Sequence, residues 1–318
     1  MSQPAIQTDS LGKTYTASFG AKKITALRDL TLTVNPGEIF GLLGPNGAGK
    51  TTTVKLLLNL SRATTGSATI FGIPTTDPSS RQRIGYLPEG HRFPGYLTAR
   101  ETLSIFGRMS GVDAATLNSR MMPLLERLRI AQWVDVRVKK FSKGMVQRLG
   151  IASALIHEPD LLLLDEPTDG VDPVGRREIR DLLREEAQKG KTIFLNSHLL
   201  SEIELMCDRV AILRRGSVAA IGNIEELTRQ ESRYKLVASS IDDSLVDRFR
   251  SSGANVQREN GHLLLGVRDI RHLNELIDAA RSNGSLLSEV SEVRSSLEDV
   301  FVDLVKTGDA SDARETEA

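Results

Sequence analysis

The stretch Gly44-Pro45-Asn46-Gly47-Ala48-Gly49-Lys50-Thr51 constrains this chain more than any other. Its two outer glycines have four residues between them and are followed by Lys and Thr, the spacing of a phosphate-binding loop. The run from Glu38 to Leu43 before it reads as a buried strand, and Thr51 to Leu60 carries helical periodicity. That order of strand, loop and helix turns consecutive backbone N–H groups inward, and the helix N-terminus adds positive potential where phosphates sit. Lys50 is placed to pair with the β and γ phosphates and the Thr51 hydroxyl to hold Mg²⁺, with Asn46, Ala48 and Thr52 completing the cradle. The expectation is a nucleotide-binding protein.

A second feature bears on the fate of that nucleotide. Leu161-Leu162-Leu163-Leu164-Asp165-Glu166 is an apolar run ending in two adjacent carboxylates. It reads as a buried parallel strand whose C-terminal edge delivers acids to a site. Alternation along a strand points neighbouring side chains in different directions, so the two acids can do different work. Asp165 suits the Mg²⁺ shell, mostly through water. Glu166 is then free to act as general base on an attacking water, a role worth about 10²–10⁴ in rate.

Other segments follow in a fixed order. Phe141-Ser142-Lys143-Gly144-Met145-Val146-Gln147-Arg148 precedes the acidic strand, Asp169-Gly170-Val171-Asp172-Pro173 follows it, and Asn196-Ser197-His198 closes a further apolar strand from Thr192. Together with the phosphate loop, this order resembles the ATP-binding subunit of ABC transporters over roughly residues 5 to 225. The resemblance implies ATP and Mg²⁺ as cofactors and ATP hydrolysis as the reaction. It implies that Ser142 and Gly144 reach across a dimer to the γ-phosphate held by the partner chain. Asp172 takes the part of the D-loop acid, and His198 that of the switch histidine at the γ-phosphate. Tyr15, in Leu11-Gly12-Lys13-Thr14-Tyr15, matches the aromatic that stacks on adenine, with Phe19 as its competitor. Two positions depart from the family. The signature, commonly Leu-Ser-Gly-Gly-Gln, is here Phe141-Ser142-Lys143-Gly144-Met145, with Lys143 facing solvent or strengthening the phosphate contact. Glu89 stands where the family has a Gln, and its carboxylate oxygen can still ligate Mg²⁺.

Composition narrows the partners. Lysines and arginines total 41 and acids total 41, so the balanced charge gives no electrostatic case for nucleic acid. The single cysteine, Cys207, sits among apolar residues and reads as a buried small hydrophobe. Apolar stretches are strand-sized, below the roughly 20 residues of a membrane helix, and residues 1 to 10 lack a signal-peptide core. The expected setting is cytoplasmic, on the inner face of a membrane through a separate permease subunit. The variant signature and an added C-terminal domain resemble exporter subunits more than importers. The rival is a soluble ABC-type ATPase acting on ribosomes or DNA; one phosphate loop, no heptad run and no cysteine cluster argue against it.

The expected fold is α/β: a P-loop NTPase core with an antiparallel β subdomain and a helical insert, plus a small α+β ferredoxin-like domain. The ATP-binding domain spans 5–225. Its antiparallel sheet comes from about 5–36, its parallel core from 37–90 and 155–222, and its insert from about 91–154, with helices from Glu101 to Met109 and Met121 to Ile130. Phe93 and Tyr96 either line a permease-docking groove or form local core. The accessory domain, 230–306, reads β-α-β-β-α-β with a hairpin at Asn260-Gly261. A last helix is expected to start from a capping box formed by Ser295 and Glu298. The polar tail 307–318 is expected to be disordered.

Overall fold

The computed structural model describes residues 3–16, 23–228, 233–239, 241–259, 261–293, 296–302 and 304. The chain divides into two units, Met1–Asn223 and Ile224–Ala318. Phe19, Asn260, Ser295 and the tail 307–318 lie outside the described residues.

The first unit begins with β1 (Ile6–Thr16) and β2 (Lys23–Val34), then β3 (Ile39–Leu43), the phosphate loop and α1 (Lys50–Leu57). β4 (Thr65–Ile70) and β5 (Ile73–Pro74) follow, then β6 (Ile84–Leu87). Three helices come next: α2 (Ala99–Met109), α3 (Ala114–Arg127) and α4 (Lys143–Leu155). The remainder alternates β7 (Leu161–Asp165), α5 (Pro173–Gln188), β8 (Thr192–Asn196), α6 (Leu200–Met206), β9 (Arg209–Arg214) and β10 (Ser217–Asn223).

A six-stranded sheet runs β10-β9-β3-β8-β7-β6, parallel except for β10. All five residues of β3, β7 and β8 are buried, as strands covered on both faces require. Each fully buried leucine of β7 contributes about 1.5–3 kcal/mol of transfer free energy, and the Phe40 and Phe194 rings stack at 5.8 Å between β3 and β8. The register is what matters for function. Leu42 and Asp165 both pair with Asn196, and Leu43 pairs with Ile212, so β3, β7 and β8 end at one level. The segments leaving those ends therefore converge on one edge, where open α/β sheets hold ligands.

The antiparallel sheet runs β2-β1-β4-β5. It takes in residues 65–74, expected in the parallel core. β4 instead pairs with β1, with Ile6 opposite Ile70, because its half-exposed alternation suits a one-sided sheet. The insert is helical as expected, with different limits. A capping box of Thr98 and Glu101 starts α2 two residues before Glu101. Asp113 caps α3 by accepting from Thr116 N at 3.0 Å, and Leu117, Met121 and Leu125 bury one face. That face carries the helix through Pro123, whose missing N–H would otherwise favour a break. Arg129 then takes φ +58°, so Leu128–Ile130 lies past the helix end.

The second unit opens with α7 (Ile224–Thr228), followed by β11 (Arg233–Ala238), α8 (Asp243–Ser251), β12 (Asn255–Glu259), β13 (His262–Gly266), α9 (Ile270–Ser282) and β14 (Leu287–Val293). Its sheet order is β12-β13-β11-β14, all antiparallel, which with its two helices is a ferredoxin-like arrangement. Glu259 pairs with His262 across a two-residue connection containing Gly261 at φ +86°. A capping box forms at Ser296 and Asp299, while the one expected of Ser295 and Glu298 involves a residue outside those described. Ser296 N and Oγ donate to Asp299 Oδ2, and Asp299 N donates back to Ser296 Oγ.

Candidate functional site

The loop between β3 and α1 owes its shape to glycines at positions no other residue fits. Gly44 has φ +155°, and a Cβ there would lie 2.6 Å from Leu213 O. Gly49 has φ +111°, and its Cβ would lie 2.6 Å from Ala26 O. Gly49 is also the N-cap of α1 and supplies no side-chain acceptor. The first N–H groups of α1, on Lys50, Thr51 and Thr52, have no carbonyl one turn back and are available to an anion. Lys50 reaches back over the loop, donating to Gly44 O at 2.5 Å and Pro45 O at 3.2 Å. Burial lowers its pKa, and Glu166, Asp165 and Glu89 pull the other way.

Asn46 through Thr52 line a cleft of about 600 Å³ together with Ile24, Thr25, Ala26, Glu89, Asp165, Glu166 and His198. Three of these lining residues are acids and one is a lysine. Asp165 is only 5% exposed, and burial raises its pKa from 3.8 to about 6 against the hydrogen bond that Asn196 Nδ2 donates at 3.4 Å. Asn196 Oδ1 is buried beside it without a hydrogen-bond partner.

Glu166 is oriented by its backbone. β7 stops at Asp165, and Glu166 takes φ +52°, left-handed geometry that costs a non-glycine residue of order 1–3 kcal/mol. Strand alternation, the expected reason for the two acids diverging, therefore does not apply at Glu166. The turn is held from three sides. Glu166 N donates to Asn196 O at 2.9 Å, while its carbonyl accepts from Gln147 Nε2 at 2.9 Å and Asp169 N at 3.1 Å. Its Oε1 accepts from His198 N at 2.9 Å and lies 2.8 Å from His198 Nδ1, and its Oε2 accepts from Ser197 Oγ at 3.2 Å. This carboxylate is fixed at the cleft and close to the histidine.

Other candidates lie elsewhere. Ser142 caps α4, accepting from Met145 N at 3.3 Å, and Asp172 caps α5, accepting from Gly175 N at 2.9 Å. Neither they nor Gly144 line the cleft. Gly44 and Pro45 contribute carbonyls to Lys50 rather than cleft surface. Tyr15 is outside the lining too, its ring engaged by Lys13 Nζ at 4.9 Å from the centroid. Its cross-strand partner Ile24 does line the cleft. Ile24, Thr25 and Ala26 carry no motif that marks them; the pairing of β2 with β1 and the loop after β3 place them at the cleft. Phe93 belongs to local packing, met edge-on by His91 and Phe106, whereas Tyr96 is 71% exposed. Cys207 is buried, its thiol pKa pushed up by desolvation.

A glycine loop, paired acids and a histidine at the end of a parallel sheet define a P-loop nucleotide site. Residues 27–169 match the family model for ABC transporter proteins. Over 304 residues the chain is 36% identical to an uncharacterized ABC transporter ATP-binding protein of Synechocystis sp., spanning 93% of this chain and 83% of that protein. It is 40% identical over 233 residues to Nod factor export ATP-binding protein I of Paraburkholderia xenovorans, 73% of this chain and 75% of that one. A solved dimeric, post-hydrolysis ATP-binding cassette bound to ADP and Pi superposes with a TM-score of 0.63 at 25% identity, covering 69% of this chain and 98% of that cassette. The chain belongs to the ABC transporter ATP-binding proteins and is an ATP-binding ATPase of that family.

Proposed function

We propose that two copies of this chain, or one copy and a close relative, close around two ATP molecules and drive a separate membrane permease, in the export direction. The observation that carries the reading is the placement of the two motif sets. Lys50, Glu166 and His198 face the chain's own cleft, while Ser142, Gly144 and Asp172 lie outside it and remain for a partner's nucleotide. Lys50 leaves the loop carbonyls for the phosphates, and Glu166, turned by its left-handed backbone, takes the proton of the attacking water. His198 and Ser197 hold that carboxylate in place. Tyr15 or its neighbour Ile24 covers the adenine.

Mg²⁺ fits the residues present. Asp165, kept from ionising chiefly by burial and further by Glu89 and Glu166, gains from a cation, as does the unpartnered Asn196 Oδ1. Among the described residues no three such side chains form a metal cage unaided, and Mg²⁺ characteristically combines one or two carboxylates with substrate phosphates. Thr51, Glu89 and Asp165 would hold it, and the ion would supply neutralising charge to the phosphates.

No helix among the described residues is long and apolar enough to cross a membrane, so a permease supplies the path. Tyr96, and Ile105 with Met109 four residues on along α2, are exposed apolar side chains offered to it. Export is supported by the Nod factor export relative. The test is Glu166→Gln in the purified chain. ATP binding should persist, hydrolysis should fall about 10²–10⁴-fold, and an ATP-dependent dimer should accumulate on size-exclusion chromatography and carry the permease from membranes. Turnover near wild type would remove Glu166 from the base role.

A further inference from the structure

An ion pair outside the cleft joins the two segments that face a partner. Lys143 is the first residue of α4, and its ammonium lies 2.8 Å from Asp169 Oδ2, in the turn after β7. A cation in a first helical turn opposes the helix dipole, and α4 has no acid of its own in that turn. Asp169 supplies the negative charge from another element, and the lysine in turn holds its carboxyl below the usual carboxylate range. The lysine stem lies along Gly170, where a Cβ would come within 2.2 Å of Lys143 Cδ and 2.4 Å of Cε. Gly170, at φ +67°, leaves the track that the stem occupies.

Four residues on, and so on the same helix face, Gln147 donates to Glu166 O, which also accepts from Asp169 N. The start of α4 thus holds both ends of the Glu166–Asp169 turn. Because Glu166 is aimed by its backbone, whatever holds that turn determines where its carboxylate points.

We infer that Lys143 and Asp169 are positioning residues whose ion pair makes Ser142 and Glu166 move as one piece. Closure of Ser142 onto a partner's ATP then sets Glu166 for hydrolysis in its own cleft. The inference rests on the composite-site reading above. Both side chains are about half exposed or more, and such pairs add little to stability, so the effect belongs to turnover.

The test is MgATP hydrolysis by the full-length chain carrying Lys143→Gln, Asp169→Asn, both together, or the exchange Lys143→Asp with Asp169→Lys. Each single variant should lower kcat about two- to fivefold with KM for ATP and the melting temperature unchanged. The double variant should be no worse than either single one, and the exchange should recover most of the loss. Additive losses, or two single variants with wild-type kcat, would overturn the inference. So would a rise in KM confined to Lys143→Gln, which would place the lysine on a phosphate. The composite-site reading fails separately, if Glu166→Gln forms no ATP-dependent dimer.

Discussion

At the scale of single residues, the cleft concentrates negative charge that folding alone does not favour. Asp165 has its pKa raised from 3.8 to about 6, chiefly by burial, so between those pH values the folded state holds a proton that the unfolded chain has released. Stability from this group is therefore present at low pH and lost as pH rises through about 6. Above that, the buried charge costs up to about 3 kcal/mol. Asp165→Asn should accordingly melt higher than the parent at pH 7.5 without nucleotide, with the gap closing by pH 4. An equal or lower melting temperature at pH 7.5 would contradict this. The cost makes sense for an acid placed to meet a cation. Neighbouring Glu166 bears a different cost, a left-handed backbone, for a carboxylate anchored by Ser197 and His198.

Among elements, the unit of β3, phosphate loop and α1 is the most tightly specified. Gly49 must leave room for Ala26 O on β2 while turning the chain into α1 with its N–H groups open. Gly49→Ala combines backbone strain with a close contact and should destabilise by about 1–3 kcal/mol or more. Nucleotide binding should be lost beyond what that loss of stability explains. Urea unfolding and binding of a fluorescent ATP analogue separate the two effects; full binding with unchanged stability would mean the loop tolerates a Cβ. Elements without such special residues were less legible. β4 offers only a short alternation as a mark of its sheet, and Pro123 obscured α3, whose continuity depends on the buried face of Leu117, Met121 and Leu125.

For the whole molecule, the central observation is that the motif residues divide into two sets. One chain brings Lys50, Asp165, Glu166 and His198 to one cleft and leaves Ser142 and Gly144 off it. ATP then becomes part of the proposed interface, and its binding shifts the population toward a closed dimer through higher affinity for that state. Mixing Lys50→Ala with Ser142→Arg subunits tests this. In the mixed dimer one composite site carries both lesions and the other neither, so turnover should rise above that of either variant alone. An ATP-bound structure with Ser142 against the phosphates of its own chain would overturn the arrangement.

What the amino-acid sequence determined by itself was chemistry encoded locally. The phosphate loop and the acid pair were legible from residue type at short spacing, whereas the parts given to Ser142 and His198 came from the order of motifs that resembles the family. The β-α-β-β-α-β order of the second unit was legible too, written in alternating and helical periodicities. Only the tertiary structure decided what depends on distant segments meeting. Register across β3, β8 and β7 brings the three chain ends level. Burial under the sheet edge raises the pKa of Asp165. The place of Lys143 was set by Asp169, 26 residues away and on another element. Spacing along a chain records which groups are present, whereas packing sets their surroundings, and it is the surroundings that give a carboxylate or an ammonium its task.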